Sequence, residues 1–174
     1  RVLYFGLVRE RIGVSEVGLA LGESSTVAVL AGLLAAKHGN LAFYNVNRYL
    51  NPTNLCWVDC ALCAWAKKVN EPGGYEMAIE ECLAEAGKGY SEAVTEFHIV
   101  GGLHPTWPFE YYTGLLSSLK KAFPGVHLKA WTMVEVDWIA KVGHRELPDA
   151  IRELKAAGMD SCPGGGAEIS ANAG

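Results

Sequence analysis

Three of the five cysteines in the chain lie close together, as Cys56, Cys60 and Cys63 in the sequence NPTNLCWVDCALCAW. Thiolates at this C-x3-C-x2-C spacing on one loop are suited to binding a metal. Zinc would need a fourth ligand, usually from a second paired motif, but Cys82, Cys162 and the five histidines are scattered. Three ligands without a fourth suit a [4Fe–4S] cluster with one iron open to a small molecule. The array therefore predicts such a cluster, with zinc or core packing as the alternatives.

The composition places this array in a reducing environment. The net charge is −4 without a basic run, which argues against nucleic acid as a partner. No apolar stretch reaches the roughly 18–20 residues that cross a bilayer, and the start, RVLYFGLVRERIG, lacks the small-residue cleavage site of a signal peptide. We therefore expect a soluble, cytoplasmic protein without a membrane partner. Stable disulfides are not expected there, and an odd number of cysteines leaves one unpaired.

The segments around the array alternate between strand and helix patterns. SSTVAVLAGLLAAKHGN reads as a capped helix, and later helices are predicted in YEMAIEECLAEAGKGYSEAV, PFEYYTGLLSSLKKAF and LPDAIRELKAAG. Strands are predicted in LAFYNVNRYLN, TEFHIVGG, HLKAWTMVEV and SCPGGGAEI. This order predicts an α/β fold, in which crossover helices connect the strands of a parallel sheet.

Polar and glycine-rich sequences, NPTNLC, GGLHP and PGGGAE, follow the predicted strands. The carboxyl ends of parallel strands are where barrels and open sheets build their sites. His104 follows a glycine pair and is a candidate site residue, whereas His98 lies within an apolar strand and is predicted to be a core histidine. Arg48 could bind a substrate carboxylate or pair with Glu135. Strand alternation allows these polar residues to face a barrel lumen: Asn47, Arg48, Asn51, Thr53, Thr132 and Glu135.

The number of strands falls short of a closed barrel. An eight-unit barrel needs about 250 residues, whereas this chain has 174 residues and four predicted strands. An uncovered last strand would be prone to aggregation. We therefore expect the sequence to be the N-terminal piece of a longer protein.

The cysteine motif after a first barrel strand resembles that of the radical S-adenosylmethionine (SAM) enzymes. The surrounding segments NRYLNPTNLC, HIVGGLHPTWPFEYY, VHLKAWTMVEVD and LKAAGMDSCPGGGAEI are similar to those of the aminofutalosine synthases, over about Phe43 to Ile169. Dehypoxanthine futalosine cyclases and FO synthases share the general pattern. Those relatives favour glutamine directly before the glycine pair, so Val100 at this position favours the synthases.

The resemblance implies a fold and its boundaries. It implies a parallel partial (β/α) barrel of the radical SAM type, with about four of six strands present. An N-terminal helical extension would occupy residues 1–40. The incomplete barrel would then occupy residues 41–174.

The resemblance also implies residue roles. Cys56, Cys60 and Cys63 would bind three irons, and the amino and carboxylate groups of SAM would bind the fourth. Leu62 stands where the family usually has an aromatic residue and would pack against the adenine. Gly101 and Gly102 would let strand-end carbonyls approach the SAM amino group.

Glu168, in PGGGAE, would contact the ribose of SAM. Catalytic residues are not identified by the resemblance, and Arg48, His104 and Glu135 are the candidates.

The activity implied is an adenosyl transfer in menaquinone biosynthesis. The 5′-deoxyadenosyl radical would add to the enol-ether double bond of 3-[(1-carboxyvinyl)oxy]benzoate, and loss of carboxylate would give aminofutalosine. SAM would then be a co-substrate, and a flavodoxin or ferredoxin would supply electrons. A non-catalytic zinc-binding module is the alternative of a different class.

Overall fold

The computed structural model describes residues 2–3, 16–18, 26–39, 45–58, 60–61 and 63–164. The chain divides into two compact units, residues 1–44 and 45–174. No helix among the described residues is long and apolar enough to cross a membrane.

The described residues of the first unit form a short antiparallel strand pair and a helix. Strands β1 (Val2–Leu3) and β2 (Glu16–Val17) pair with each other, and helix α1 spans Val27–His38. The Thr26 hydroxyl accepts a hydrogen bond from Val29 N at 3.3 Å, which satisfies one of the free N–H groups at the helix start. The predicted capped helix is therefore confirmed, and the strand pair is an addition to the predicted helical extension.

The second unit is built on a parallel sheet. Its strands are β3 (Asn47–Leu50), β4 (Glu96–Ile99) and β5 (His127–Ala130), which lie side by side in that order. Helix α2 (Ile79–Gly87) connects β3 to β4, and helix α3 (Phe109–Ala122) connects β4 to β5. Helices α4 (Met133–Val142) and α5 (Leu147–Ala157) come after β5. The predicted α/β class and parallel strand pairing are confirmed.

The two faces of this sheet differ in chemistry because strand side chains alternate between them. Phe97, Ile99 and Leu128 are fully buried on one face, in a core that also contains Leu115 and Leu116 of α3. Burying a side chain of this size contributes about 1.5–3 kcal/mol. The opposite face, here called the open face, carries the intervening and mostly polar residues of the three strands: Asn47, Tyr49, Glu96, His98, His127 and Lys129.

The predicted strand HLKAWTMVEV is wrong in its second half. After Ala130 the chain turns at Trp131, which has a φ of 53°, and Thr132 starts helix α4. The Thr132 hydroxyl accepts from Glu135 N at 3.3 Å, and the Glu135 carboxylate accepts from Thr132 N at 2.8 Å. This reciprocal pair is a capping box, so a helix stands where a strand was predicted.

The described start of the predicted fourth strand forms one isolated parallel bridge between Lys129 and Ser161, where Ala130 N donates to Ser161 O at 2.9 Å. The described sheet therefore has three strands rather than four. Most of the predicted strand, including Glu168, lies outside the described residues. Helix α5 ends at Gly158 as predicted, and the φ of 121° at this position is one that glycine adopts readily.

Candidate functional site

The cysteine loop begins on a tightly bonded base directly after β3. The Thr53 hydroxyl donates to Tyr75 O at 2.7 Å and accepts from Leu55 N at 3.0 Å. The Asn54 side chain donates to Gly73 O at 2.9 Å and accepts from Tyr75 N at 2.8 Å. Thr53 and Asn54 are both buried, so these bonds satisfy the polar groups of their side chains.

Two lysines extend this base towards the first cysteine. Cys56 N donates to Lys67 O at 2.9 Å, and Lys67 N donates to Asn54 O at 2.8 Å. The Lys68 ammonium donates to the carbonyls of Cys56 at 3.3 Å and Trp57 at 3.1 Å. We use the name loop base for residues 53–56 together with residues 67–75, because hydrogen bonds join these two segments.

The tip of the loop is different. Cys60 and Cys63 are exposed and Cys56 is half-buried, and all three thiols are free. Cys63 N donates to Cys60 O at 3.0 Å, which forms a tight backbone turn between the two exposed cysteines. Leu62, the predicted adenine contact, lies outside the described residues. We use the name loop tip for residues 57–66.

The three cysteines open into one cavity of about 530 Å³ at the carboxyl edge of the sheet. Its apolar lining comes from four side chains: Val58, Val100, Leu103 and Val134. His98, Gly101 and Glu135 also line it. Among the described residues, no group of three or more Cys, His, Asp and Glu side chains is already arranged to hold a metal ion. The donor set therefore shares one cavity without forming a metal-ligand geometry.

The glycine pair joins the end of β4 to the loop base. Gly102 N donates to Thr53 O at 2.9 Å. A Cβ atom on Gly102 would lie 2.6 Å from Leu55 C and 3.1 Å from Cys56 Cβ, so a side chain there would displace the loop base. Gly102 thus packs against the loop base, and Gly101 is the member of the pair that lines the cavity.

The residue after the pair contacts the first cysteine directly. Leu103 N donates to the Cys56 sulfur at 3.4 Å, and Leu103 O accepts from Trp57 N at 2.8 Å. A backbone N–H that points at a sulfur stabilises negative charge on that sulfur, and such bonds tune metal-bound thiolates.

Glu135 reaches the cavity from the first turn of α4. It is only 6% exposed, and its carboxylate accepts from Gly101 N at 2.7 Å and from the Thr132 hydroxyl at 2.7 Å. Burial raises the pKa of Glu135, although the bonds from Thr132 and Gly101 act to lower it. Glu135 thereby fastens the end of β4 to the start of α4.

His104 lies beside a separate cavity of about 490 Å³. It is buried, with Nε2 at 2.7 Å from the Glu76 carboxylate, and its Nδ1 accepts from Trp107 N at 3.0 Å. An accepting Nδ1 assigns the proton to Nε2. Burial lowers the pKa of His104, although Glu76 acts to raise it. The structure thus separates His104 from the cysteines and gives it a role in loop packing.

Arg48 also lies away from the cysteine cavity. It alternates with Tyr49 and faces the helical side of the sheet, where its guanidinium lies against Gly89. Glu135, its predicted alternative partner, instead binds Gly101 and Thr132.

His98 was missed as a site residue. It was predicted to be a core histidine, but it lies on the open face, lines the cysteine cavity and packs on the Tyr49 ring with centroids 5.0 Å apart. The alternation in TEFHIVGG could have predicted this position, because apolar Phe97 and Ile99 on either side of His98 place it on the opposite face of the strand.

Comparison with known proteins identifies relatives over most of the chain. The aminodeoxyfutalosine synthase of Streptomyces coelicolor is 43% identical over 158 residues, which cover 88% of this chain and 41% of that protein. The synthase of Thermus thermophilus is 37% identical over 160 residues, which cover 90% and 43% of the two chains. A 5-amino-6-(D-ribitylamino)uracil–L-tyrosine 4-hydroxyphenyl transferase of Methanopyrus kandleri is 38% identical over 131 residues, covering 75% and 36%.

No protein-family model matches the chain. Among solved structures, methylornithine synthase gives a TM-score of 0.46 at 13% identity, covering 87% of this chain and 52% of that one. The predicted similarity to the aminodeoxyfutalosine synthases is confirmed by the sequence identities. The chain spans about two fifths of the length of those two synthases.

Proposed function

We propose, because the chain is related to the aminodeoxyfutalosine synthases, that the whole protein is a radical SAM enzyme of this kind. It would transfer the adenosyl group of SAM to 3-[(1-carboxyvinyl)oxy]benzoate and release carboxylate, which gives aminofutalosine for menaquinone biosynthesis. The observation that carries the proposal is the opening of all three motif cysteines into one cavity beside Gly101. We place the enzyme in the cytoplasm, with a flavodoxin or ferredoxin as electron donor.

The donor set fits a [4Fe–4S] cluster. Cys56, Cys60 and Cys63 would hold it, and three thiolates leave one iron for SAM. A bound cluster of this type supplies one electron for the reductive cleavage of SAM. The Leu103 N–H already points at the Cys56 sulfur, so that ligand is oriented by the backbone.

The remaining residues of the cavity would orient SAM and exclude water. Gly101 has no side chain to cover the end of β4, and the Glu135 carboxylate fixes the position of the Gly101 N–H group. The four apolar side chains of the lining would keep water away from a reactive centre. Glu135 is therefore proposed as a positioning residue. Arg48 and His104, by their placement, are proposed as structural rather than catalytic.

The test is anaerobic reconstitution of the full-length protein with iron and sulfide, followed by turnover with SAM, a reductant and the enol ether. We expect broad visible absorbance, about four irons per chain and the adenosyl group covalently present in the product. Free 5′-deoxyadenosine as the sole product would indicate chemistry of the cyclase or FO synthase kind. A colourless protein with stoichiometric zinc would support the non-catalytic module instead.

A further inference from the structure

A row of three side chains crosses the open face at the same level of the sheet. Tyr49, His98 and Lys129 are register partners on the three adjacent strands, so they project to the same side at neighbouring positions. The Tyr49 ring is 65% exposed, which is unusual for a large aromatic side chain on a sheet. The row therefore offers an aromatic surface that the described part of the protein leaves uncovered.

Contacts within the open face hold this row in place. The Tyr49 and His98 rings are tilted by 43° with centroids 5.0 Å apart, a distance at which aromatic rings attract each other. The Lys129 ammonium bonds to the buried Glu96 carboxylate at 2.9 Å, so the end of this long side chain is fixed. Burial and the nearby Lys129 charge lower the pKa of His98, although Glu96 acts to raise it, and the net lowering favours a neutral imidazole.

The row also connects two cavities. His98 lines the cysteine cavity, and Tyr49 lines a neighbouring cavity of about 400 Å³ together with Asn51.

We propose that Tyr49 and His98 form the surface on which the enzyme binds the aromatic ring of an aromatic carboxylate substrate, with the Lys129 ammonium as a nearby hydrogen-bond donor. This inference rests on the proposed function, because the row is placed relative to the cysteines that would bind the cluster. A ring on this surface would lie beside the cysteine cavity. Ring stacking would set its orientation, and the Lys129 ammonium, which is already paired with Glu96, would donate a remaining N–H group to its carboxylate.

The experiment measures KM for 3-[(1-carboxyvinyl)oxy]benzoate in the full-length, reconstituted enzyme. We expect Tyr49→Ala to raise KM about 5- to 10-fold, the size of a lost aromatic pair. Tyr49→Phe keeps the ring and should stay within about twofold. Asn47→Ala is the matched control, because Asn47 is exposed on the same strand and face but lies outside the row. It should leave KM unchanged.

A second variant tests whether the two rings act as one surface. His98→Ala should raise KM to a similar extent. The Tyr49→Ala/His98→Ala double variant should raise KM by less than the product of the two single fold-changes. Iron content and substrate-independent SAM cleavage are measured in the Tyr49 variants and should match the wild type.

These readouts separate the two proposals. If the reconstituted wild-type enzyme does not cleave SAM, the proposed function is wrong. Normal SAM cleavage with an unchanged KM in Tyr49→Ala would overturn this inference alone.

Discussion

The base and the tip of the cysteine loop behave as two different kinds of structure. In the loop base, the buried side chains of Thr53 and Asn54 form hydrogen bonds with backbone groups of residues 67–75. In the loop tip, Cys60 and Cys63 are exposed and carry free thiols. The base is therefore held by hydrogen bonds within the fold, whereas the tip carries the thiols that we propose as cluster ligands.

The base is expected to be most sensitive at Gly102. Gly102→Ala would force a Cβ into Leu55 and Cys56, so the unfolding free energy of the protein should fall by about 3 kcal/mol, as for severe overpacking. Gly125→Ala is the control, since no atom lies within 4 Å of its would-be Cβ. Chemical denaturation of both variants checks this. Equal stabilities would show that the contact between the glycine pair and the loop base is not tight.

Asn54 tests the hydrogen bonds of the base. Asn54→Ala removes the partners of Gly73 O and Tyr75 N, which form partly buried hydrogen bonds with Asn54, and should cost about 1–3 kcal/mol of unfolding free energy. Val69→Ala, in the same segment but exposed, is the control for general loop sensitivity. An Asn54 variant as stable as the wild type would mean that water satisfies both groups.

A smaller effect is expected from the titration of His104, which packs beside the base. Because burial lowers its folded-state pKa, the unfolded chain takes up a proton at a higher pH than the folded one. Stability should therefore decrease as pH falls through the unfolded value of about 6.5. Denaturation between pH 8 and about pH 5 should show a shallower decrease for His104→Gln. Parallel curves for the two proteins would contradict the assignment of a neutral His104.

The smallest effect on folding is expected at Lys68, where the base meets the first cysteine. Lys68→Met should change the unfolding free energy by less than about 0.5 kcal/mol, as for most exposed sites. It removes a positive charge that donates to the Cys56 and Trp57 carbonyls. In the reconstituted enzyme, the midpoint potential of the cluster should therefore become more negative, as measured by a redox titration followed by electron paramagnetic resonance. Lys141→Met is the control, and equal shifts in both variants would exclude a local effect.

The sequence predicted the fold where hydrophobic patterns are long. Helices α3 and α5 and the parallel pairing of β3, β4 and β5 follow from such patterns. It failed at TMVEV because apolar Met133 and Val134 resemble a strand, while the capping pair Thr132 and Glu135 decides for a helix. Short apolar runs do not separate the two states, and here local capping chemistry prevailed.

The site was only partly predictable for a related reason. The cysteine spacing is local, so the sequence alone placed three thiols on one loop. The contact between Gly102 and Leu55 joins distant segments and depends on how the chain packs. Likewise, His98 lies among apolar residues in the sequence. Its side chain nevertheless lies on the open face, because successive side chains of a strand point to opposite faces.

The assignment of the cysteines as cluster ligands is tested by comparing iron content and stability in Cys60→Ala and Cys82→Ala, made in the full-length protein. Cys60 is exposed at the loop tip, whereas Cys82 is fully buried in the core. After anaerobic reconstitution, Cys60→Ala should retain no [4Fe–4S] cluster, while the stability of its apo form matches that of the wild type. Cys82→Ala should retain the cluster and lose some stability through a packing defect. A Cys60→Ala protein with a full complement of iron and normal SAM cleavage would contradict the account.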